Sequence, residues 1–430
     1  MRVVHFTDTY LPRRDGVVTS VRTLADALAD RGHPGLTVVP RHPDQPDEPA
    51  LLRLPAIPCG IANLRLSPWL LRSAPAAGTL AAIAATEPDI VHVHTPGPLG
   101  LLGVLAARQL GLPLVQTYHT DLEAYADAYR VPVPALRGAV RLYARRLGVP
   151  RPPARPGAPT RPADRRRDAL DRTNTLLLGD ADAVVVPTRA VLDRISLPVP
   201  DDRIFLVPTG VAPRPTTAAA ATAFRARHGL GPNHRVVLFV GRVNREKGVD
   251  LLVSAFTRIA AGNPDARLVL VGAVVEPRWL TAVLRALGND IAARIILTGQ
   301  QPPEEVAAAY RAADVFAFPS LTDTQALVLQ EAALAALPAV LVDPGLHRHG
   351  PLAGAAVRTD PDPDSFAAGI RGLLDHPDTA RRTGRQAAVN AGRHTPARYA
   401  DAMCDVYAHA STRAGAVRAG RLSDRGRTRS

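Results

Sequence analysis

The chain has 430 residues, 46% hydrophobic and 21% charged, a balance that excludes gross disorder and accommodates two or three domains at about 100 to 200 residues each. Its 52 Lys and Arg against 39 Asp and Glu leave a net charge of +13, which points to an acidic or phosphorylated partner, while aromatics at 4% argue against single-stranded nucleic acid, whose bases stack on aromatic rings. Cys59 and Cys404 are the two cysteines, too far apart for a disulfide framework or zinc-ligand spacing.

The opening segment MRVVHFTDTY reads as a buried strand with no signal-peptide core behind it, and no later stretch reaches the roughly 18 uninterrupted apolar residues of a membrane span. The expectation is a cytoplasmic protein, at most bound to the inner face of a membrane. Val3 to Thr7, Leu36 to Val39, Ile90 to His94, Leu114 to His119 and Ala183 to Pro187 are short β-branched runs, as expected of parallel strands covered on both faces, and Val18 to Arg31 between them is amphipathic with helical period. A basic, Pro/Arg-rich insertion occupies about residues 130 to 168. Its first half sets Leu136, Val140, Tyr143 and Leu147 on one helical stripe and Arg137, Arg141 and Arg145 on another, while its second half, RPPARPGAPTRPADRRR, predicts a loop. Such a helix either seats its arginines on lipid phosphates and its leucines below the headgroups, with Tyr143 on that surface, or covers the sheet.

Prolines and a Thr/Ala run over residues 205 to 220 mark a hinge, after which a second strand series begins: VVLFVG, ARLVLVG, RIILTG, DVFAFPS and AVLVD. The alternation predicts an α/β protein of two doubly wound, Rossmann-like domains, 1–204 and 205–395. The helix of 396–412 closes the second domain or crosses back onto the first, and the arginine-rich tail 413–430, lacking apolar period, predicts disorder.

Ligands of open parallel sheets bind at the carboxyl ends of strands. VVLFVG ends at Gly241, and the turn after it carries Arg242 and Lys247, the single lysine in the chain. A compact ammonium beside a guanidinium makes a diphosphate clamp; the competing reading pairs both cations with Glu246 or Asp250 on the surface. In FPSLTDTQALVLQEA, Asp323 stands at a helix tip, Gln325, Ala326 and Leu327 start the helix, and Glu331 lies along it, eight residues from Asp323. His92 and His94 share a strand face and with His119 suggest a metal trio; strand-end histidines are usually satisfied by neighbours and no acidic ligand is near, so no metal is expected.

GRVNREKGVD, followed about eighty residues later by FPSLTDTQALVLQEA, resembles the nucleotide-sugar half of the retaining glycosyltransferases of the GT-B fold, family four. FTDTYLPRRDGVVTSVRTLADALADRGH, HVHTPGPLGLLGVLAARQLG and YHTD are similar to segments of bacterial members that move mannose or glucose onto lipids. The resemblance implies two domains facing each other across a cleft and a GDP- or UDP-sugar donor. Arg242 and Lys247 would hold its diphosphate and neutralise the leaving phosphate. Glu331 would take the ribose, Asp323 the sugar hydroxyls, and the amides around Gln325, Ala326 and Leu327 a phosphate. His119 would face the sugar, Gly16 would permit close backbone approach, and Gly272 and Gly299 would border the base. The same resemblance implies no metal cofactor, a lipid or small-molecule acceptor, and no specific nucleic acid. The family usually has Glu where Asp323 stands and Gly at Ala326, and PGLHRHG replaces a glycine pair after AVLVD. A catalytically weak GT-B protein acting as a nucleotide- or partner-binding subunit is the alternative these departures motivate.

Overall fold

The computed structural model describes residues 1–59, 65–71, 77–119, 121–123, 126, 131–154 and 161–427. The chain divides into two compact units, one formed by residues 1–187, 191–210 and 396–430, the other by 188–190 and 211–395. Among the described residues no helix is long and apolar enough to cross a membrane.

In the first unit the strands are β1 (Val3–Phe6), β2 (Gly35–Pro40), β3 (Leu51–Leu54), a small antiparallel pair β4 (Ile57–Pro58) and β5 (Arg65–Leu66), then β6 (Ile90–Val93), β7 (Leu114–Thr117), β8 (Ala183–Val186) and β9 (Ile204–Leu206). Apart from the small pair they form one parallel sheet of order β3-β2-β1-β6-β7-β8-β9. β1, β6, β7 and β8 are buried at every position because helices cover both faces, which is why they read as continuous apolar runs. The second unit repeats the plan with β10 (Arg235–Val240), β11 (Ala266–Val271), β12 (Ile295–Gly299), β13 (Val315–Phe318), β14 (Ala339–Leu341) and β15 (Val357–Arg358), parallel in the order β12-β11-β10-β13-β14-β15. Both central cores of this unit are lined by β10 side chains, Val236, Leu238 and Val240 on one face, Val237 and Phe239 on the other.

The helices that matter for the site are α1 (Gly16–Ala29), α2 (Pro98–Leu110), α3 (Val133–Leu147), α4 (Pro162–Leu178), α5 (Val249–Gly262), α6 (Pro303–Ala312), α7 (Leu327–Leu334) and α8 (Pro396–Arg427). Four expectations are corrected. The domain change expected at residue 205 falls after Gly210, because β9 pairs with β8 and so belongs to the first sheet. The Pro/Arg-rich stretch is not loop throughout: Pro162 opens α4, where its missing N–H costs nothing, and Asp168, Ala169, Leu170 and Thr173 bury the helix face. Residues 155–160 of that stretch, with Arg130 before it, lie outside the described residues.

Tyr143 is the third correction. On α3 it is buried with Val140, Ala144 and Leu147, and its Oη donates to the Pro96 carbonyl at 3.0 Å, so it is core rather than membrane surface. Arg137, Arg141 and Arg145 remain exposed on the opposite side of α3. Lastly, the tail expected to be disordered continues α8 to Arg427, with 428–430 outside the described residues. Alanine and arginine are good helix formers, Ala410 and Ala414 extend the buried face by a turn, and Arg413 lies 4.0 Å from Asp182. The helix packs on the first unit: Tyr399, Ala400, Met403, Val406, Tyr407 and Ala410 form one cluster with Val3, Leu24, Leu28 and Ile90. Met403→Ala empties the centre of that cluster, and about 2 to 5 kcal/mol of unfolding free energy should be lost in denaturant titration.

Candidate functional site

Each sheet reverses its strand order beside its first strand, between β1 and β6 in one unit and between β10 and β13 in the other. The carboxyl ends of strands at such a reversal are where open α/β sheets bind ligands.

In the first unit that position is filled largely by the chain itself. Asp8, after β1, accepts from the Leu99 N–H of α2 at 2.8 Å, from Gly100 N–H at 3.3 Å and from the Thr95 hydroxyl at 2.6 Å. The helix N-terminus that would otherwise attract an anion is closed by this carboxylate. Beside it, His5 on β1 stands in register with His92 on β6. His5 Nδ1 lies 3.0 Å from His94 Nε2, and His94 Nδ1 lies 3.1 Å from His119 Nε2. His92 is held apart, its Nδ1 2.8 Å from the Tyr407 hydroxyl on α8 and its Nε2 2.7 Å from Thr117 Oγ1. Burial pushes His5 and His119 down to about 4 and holds His92 and His94 well below the usual histidine range, so all four rings are neutral at physiological pH. The trio whose ring nitrogens lie within 4.8 Å of one another is His5, His92 and His94, with His5 in the place that the strand-face reading assigned to His119. Gly16 is the first residue of α1, whose N-cap Asp15 accepts from the Val18 N–H at 3.0 Å.

In the second unit the strand ends carry charge. Gly241, Gly272 and Gly299 follow one another across β10, β11 and β12, linked by Gly241 N–H to Val271 O and Gly272 N–H to Gly299 O, each 2.9 Å. A Cβ on Gly272 would stand 1.9 Å from the Gly241 carbonyl, so only glycine fits. The turn after Gly241 ends at Gly248, which has φ +69° and packs so closely on the loop after β13 that a Cβ would meet the Pro319 carbonyl at 2.5 Å. This contact brings Lys247 to Asp323: Nζ lies 2.9 Å from Asp323 Oδ1 and 3.0 Å from Glu246 Oε1. Arg242 Nη2 meets Glu246 Oε2 at 2.8 Å. Thr322 Oγ1 donates to Glu246 at 2.9 Å, and Ser320 Oγ to Asp323 at 2.5 Å.

Arg242 and Lys247 do pair with Glu246, as the competing reading of the sequence had it, but not on the surface: the Glu246 side chain is 8% exposed and that of Lys247 15%. Asp250 is exposed at the start of α5. Burial acts to raise the Glu246 pKa, yet Lys247 and Arg242 hold it at about 2. For Lys247 burial favours the neutral amine, and Asp323 and Glu246 outweigh it, so the ammonium is stabilised. Asp323, expected at sugar hydroxyls, here spends one oxygen on Lys247 and the other on Ser320.

Ala326 is the N-cap of α7 in the left-handed region, φ 58° and ψ 72°, so a residue with a Cβ occupies a backbone shape suited to glycine. Gln325 is buried, with Nε2 3.5 Å from Gln330 Oε1, and Leu327 is the first residue of α7. Glu331 lies one turn further, where burial raises its pKa and the Tyr310 hydroxyl from α6 donates to Oε2 at 3.0 Å. Sequence reasoning offered Glu246 as a surface partner of both cations and missed its burial, and it left out Tyr310 on Glu331. The Arg242–Glu246 spacing of four was a signal for the first; the second depends on how α6 packs on α7, which no local pattern encodes.

Two family models match, "Glycosyltransferase Family 4" over residues 14–214 and "Glycosyl transferases group 1" over residues 221–389. The chain is similar to a D-inositol 3-phosphate glycosyltransferase of Xylanimonas cellulosilytica, 32% identical over 76% of this chain and 73% of that one. It is 27% identical to an alpha-monoglucosyldiacylglycerol synthase of Streptococcus pneumoniae (79% and 70% covered) and 28% identical to a GDP-mannose-dependent alpha-mannosyltransferase of Mycobacterium tuberculosis (80% and 80%). Among solved structures, Anabaena HepE in complex with UDP-glucose superposes with a TM-score of 0.68 at 16% identity, covering 95% of this chain and 99% of that one, a likeness of fold.

Two outcomes follow for the cluster. Glu246 is ionised in the folded protein down to about pH 2 against an ordinary value of 4.5, so its stabilisation is complete above pH 4.5 and is lost as pH falls through 2. Glu246→Gln should therefore cost about 3 kcal/mol at pH 7, with the gap to wild type closing between pH 4.5 and 2 in thermal melts at a series of pH values. Ala326→Gly should add up to about 1 kcal/mol by removing the left-handed strain, seen as a higher Tm.

Proposed function

We propose, because this chain belongs to the glycosyltransferases built from a Family 4 and a group 1 domain, that it moves a hexose, glucose or mannose, from a nucleoside diphosphate sugar to a hydroxyl of a lipid acceptor with retention at the anomeric carbon. The observation that carries the reading is the pair of cations held at the strand reversal of the second unit. A diphosphate brings negative charge to a site whose two cations are already placed, so no side-chain search is required when it arrives.

In the reaction the acceptor oxygen bonds to the anomeric carbon as the bond from that carbon to the phosphate oxygen breaks. The acceptor proton passes to the departing phosphate oxygen, and the products are the glycoside and the nucleoside diphosphate. Lys247 and Arg242 stabilise the charge that grows on the phosphates, in the place of a metal ion. His119, neutral, hydrogen-bonds a sugar hydroxyl, and Glu331 takes the ribose. Asp323 exchanges Lys247 for a sugar hydroxyl when the phosphate arrives. GDP- and UDP-sugars are both candidates: a mannosyltransferase relative is named for GDP-mannose, and the similarly folded Anabaena HepE is in complex with UDP-glucose, while another relative is named for a glucosyldiacylglycerol product. The lipid acceptor and the exposed Arg137, Arg141 and Arg145 of α3 together support a peripheral position on an anionic cytoplasmic membrane face.

The test is a thermal-shift panel of GDP-mannose, UDP-glucose and their nucleotides in EDTA, followed by assay of the stabilising donor with diacylglycerol or monoglycosyl-diacylglycerol vesicles. One donor should raise Tm and yield a glycolipid. Arg242→Ala and Lys247→Ala should each weaken that donor about 10- to 100-fold, whereas alanine at the exposed Arg385 should leave it unchanged. No stabilisation by any nucleotide sugar would overturn the reading.

A further inference from the structure

The histidines of the first unit form a chain that the transfer reaction alone does not call for. His5, His94 and His119 are joined end to end by two N···N hydrogen bonds of 3.0 and 3.1 Å. Each ring is neutral and so carries one N–H. Both nitrogens of His94 lie in these bonds, so its single proton can donate to only one neighbour and its other nitrogen must accept from the opposite one. The two bonds therefore run the same way.

Only two arrangements remain. If the chain runs outward, His5 Nδ1–H donates to His94, His94 Nδ1–H donates to His119, and the ring left over at the inner end is a bare lone pair on His5 Nε2. If it runs inward, that same nitrogen carries a proton. His5 Nε2 is buried and has no hydrogen-bond partner, and an orphaned buried N–H is the rarer and more costly of the two defects. Asp15, whose negative charge acts on His119, favours a proton at the outer end of that ring as well. A metal ion is a poorer fit to the same cluster: the nitrogens of His92 and His94 are all engaged by hydroxyls or rings, which leaves His5 Nε2 as the one nitrogen of the trio with no partner.

We propose that His5 and His94 are positioning residues, a one-way hydrogen-bond relay that locks His119 as the Nδ1–H tautomer, so that it offers a hydroxyl oxygen of the sugar a donor rather than an acceptor. His92 packs against the relay at its middle ring. Its ring lies 3.9 Å from that of His94, centroid to centroid, and is itself pinned by Thr117 and by Tyr407 of α8. The closing helix thus reaches the substrate-facing histidine through two rings.

The inference rests on the reading of His119 as a sugar-facing residue, and the test separates the two. In the full-length protein with ¹⁵N-labelled histidine, long-range ¹H–¹⁵N correlation reports which ring nitrogen carries each proton, with His94→Gln and His119→Asn for assignment. The expected result is a protonated Nδ1 and bare Nε2 in His5, His94 and His119; a protonated Nε2 in His94 or His119 overturns the relay whether or not the protein transfers sugar. In the kinetic arm, His5→Leu removes the inner donor, and kcat should fall about tenfold, the loss of one hydrogen bond, with the donor KM changed less than about twofold. His94→Gln, whose amide can accept from His5 and donate to His119, should retain more kcat than His94→Leu. Equal losses in those two variants, or an unchanged His119 tautomer in His5→Leu, would overturn the proposal.

Discussion

Gly248 packed against the Pro319 carbonyl is the contact on which the charged site depends. It forces the turn after β10 onto the loop after β13, and in doing so sets an ammonium between two carboxylates with little water around any of them. Bringing four charges this far from solvent costs more than simple packing would, and an apolar cluster of the same shape would serve the fold at least as well. Glu246 keeps Lys247 and Arg242 in one place. Its carboxylate contacts both cations, which is why its pKa is driven so low.

The two units solve the same topological problem with opposite chemistry. Both reverse strand order beside their first strand, and both leave strand ends and helix N-termini there. In the first, Asp8 caps α2 and neutral imidazoles line the strand ends. In the second, no such internal carboxylate caps α7; its N-cap is Ala326, which makes no side-chain bond, and cations stand nearby.

Much of this was legible from residue order. Buried parallel strands announce themselves as β-branched runs, and the run VVLFVG matches β10 to within a residue because both its faces are covered. Edge strands such as β3 and β15 leave no such signal, being short and only partly buried. The members of the charged cluster and the Glu246 pairing are legible in the sequence, whereas the Lys247–Asp323 pair is not. Arg242, Lys247, Asp323 and Glu331 stand where strand ends and a helix tip put them, whereas Asp323 bonding Lys247 across 76 residues depends on the loop contact at Gly248.

What the sequence by itself determined is the pair of doubly wound units, the strand-end location of the cations and the family to which both halves belong, since these follow from periodicity and from short motifs whose residues are neighbours in the chain. Tertiary structure alone decided which face of α3 is core, sending Tyr143 inward and leaving its arginines outside. It also decided that α8 crosses back to the first unit, that His5 joins His94 and His119, and that Tyr310 meets Glu331. The physical reason is common to all four: each depends on which surface lies opposite, and a helix or strand carries in its own sequence the pattern of its apolar face but not the identity of the element that will cover it.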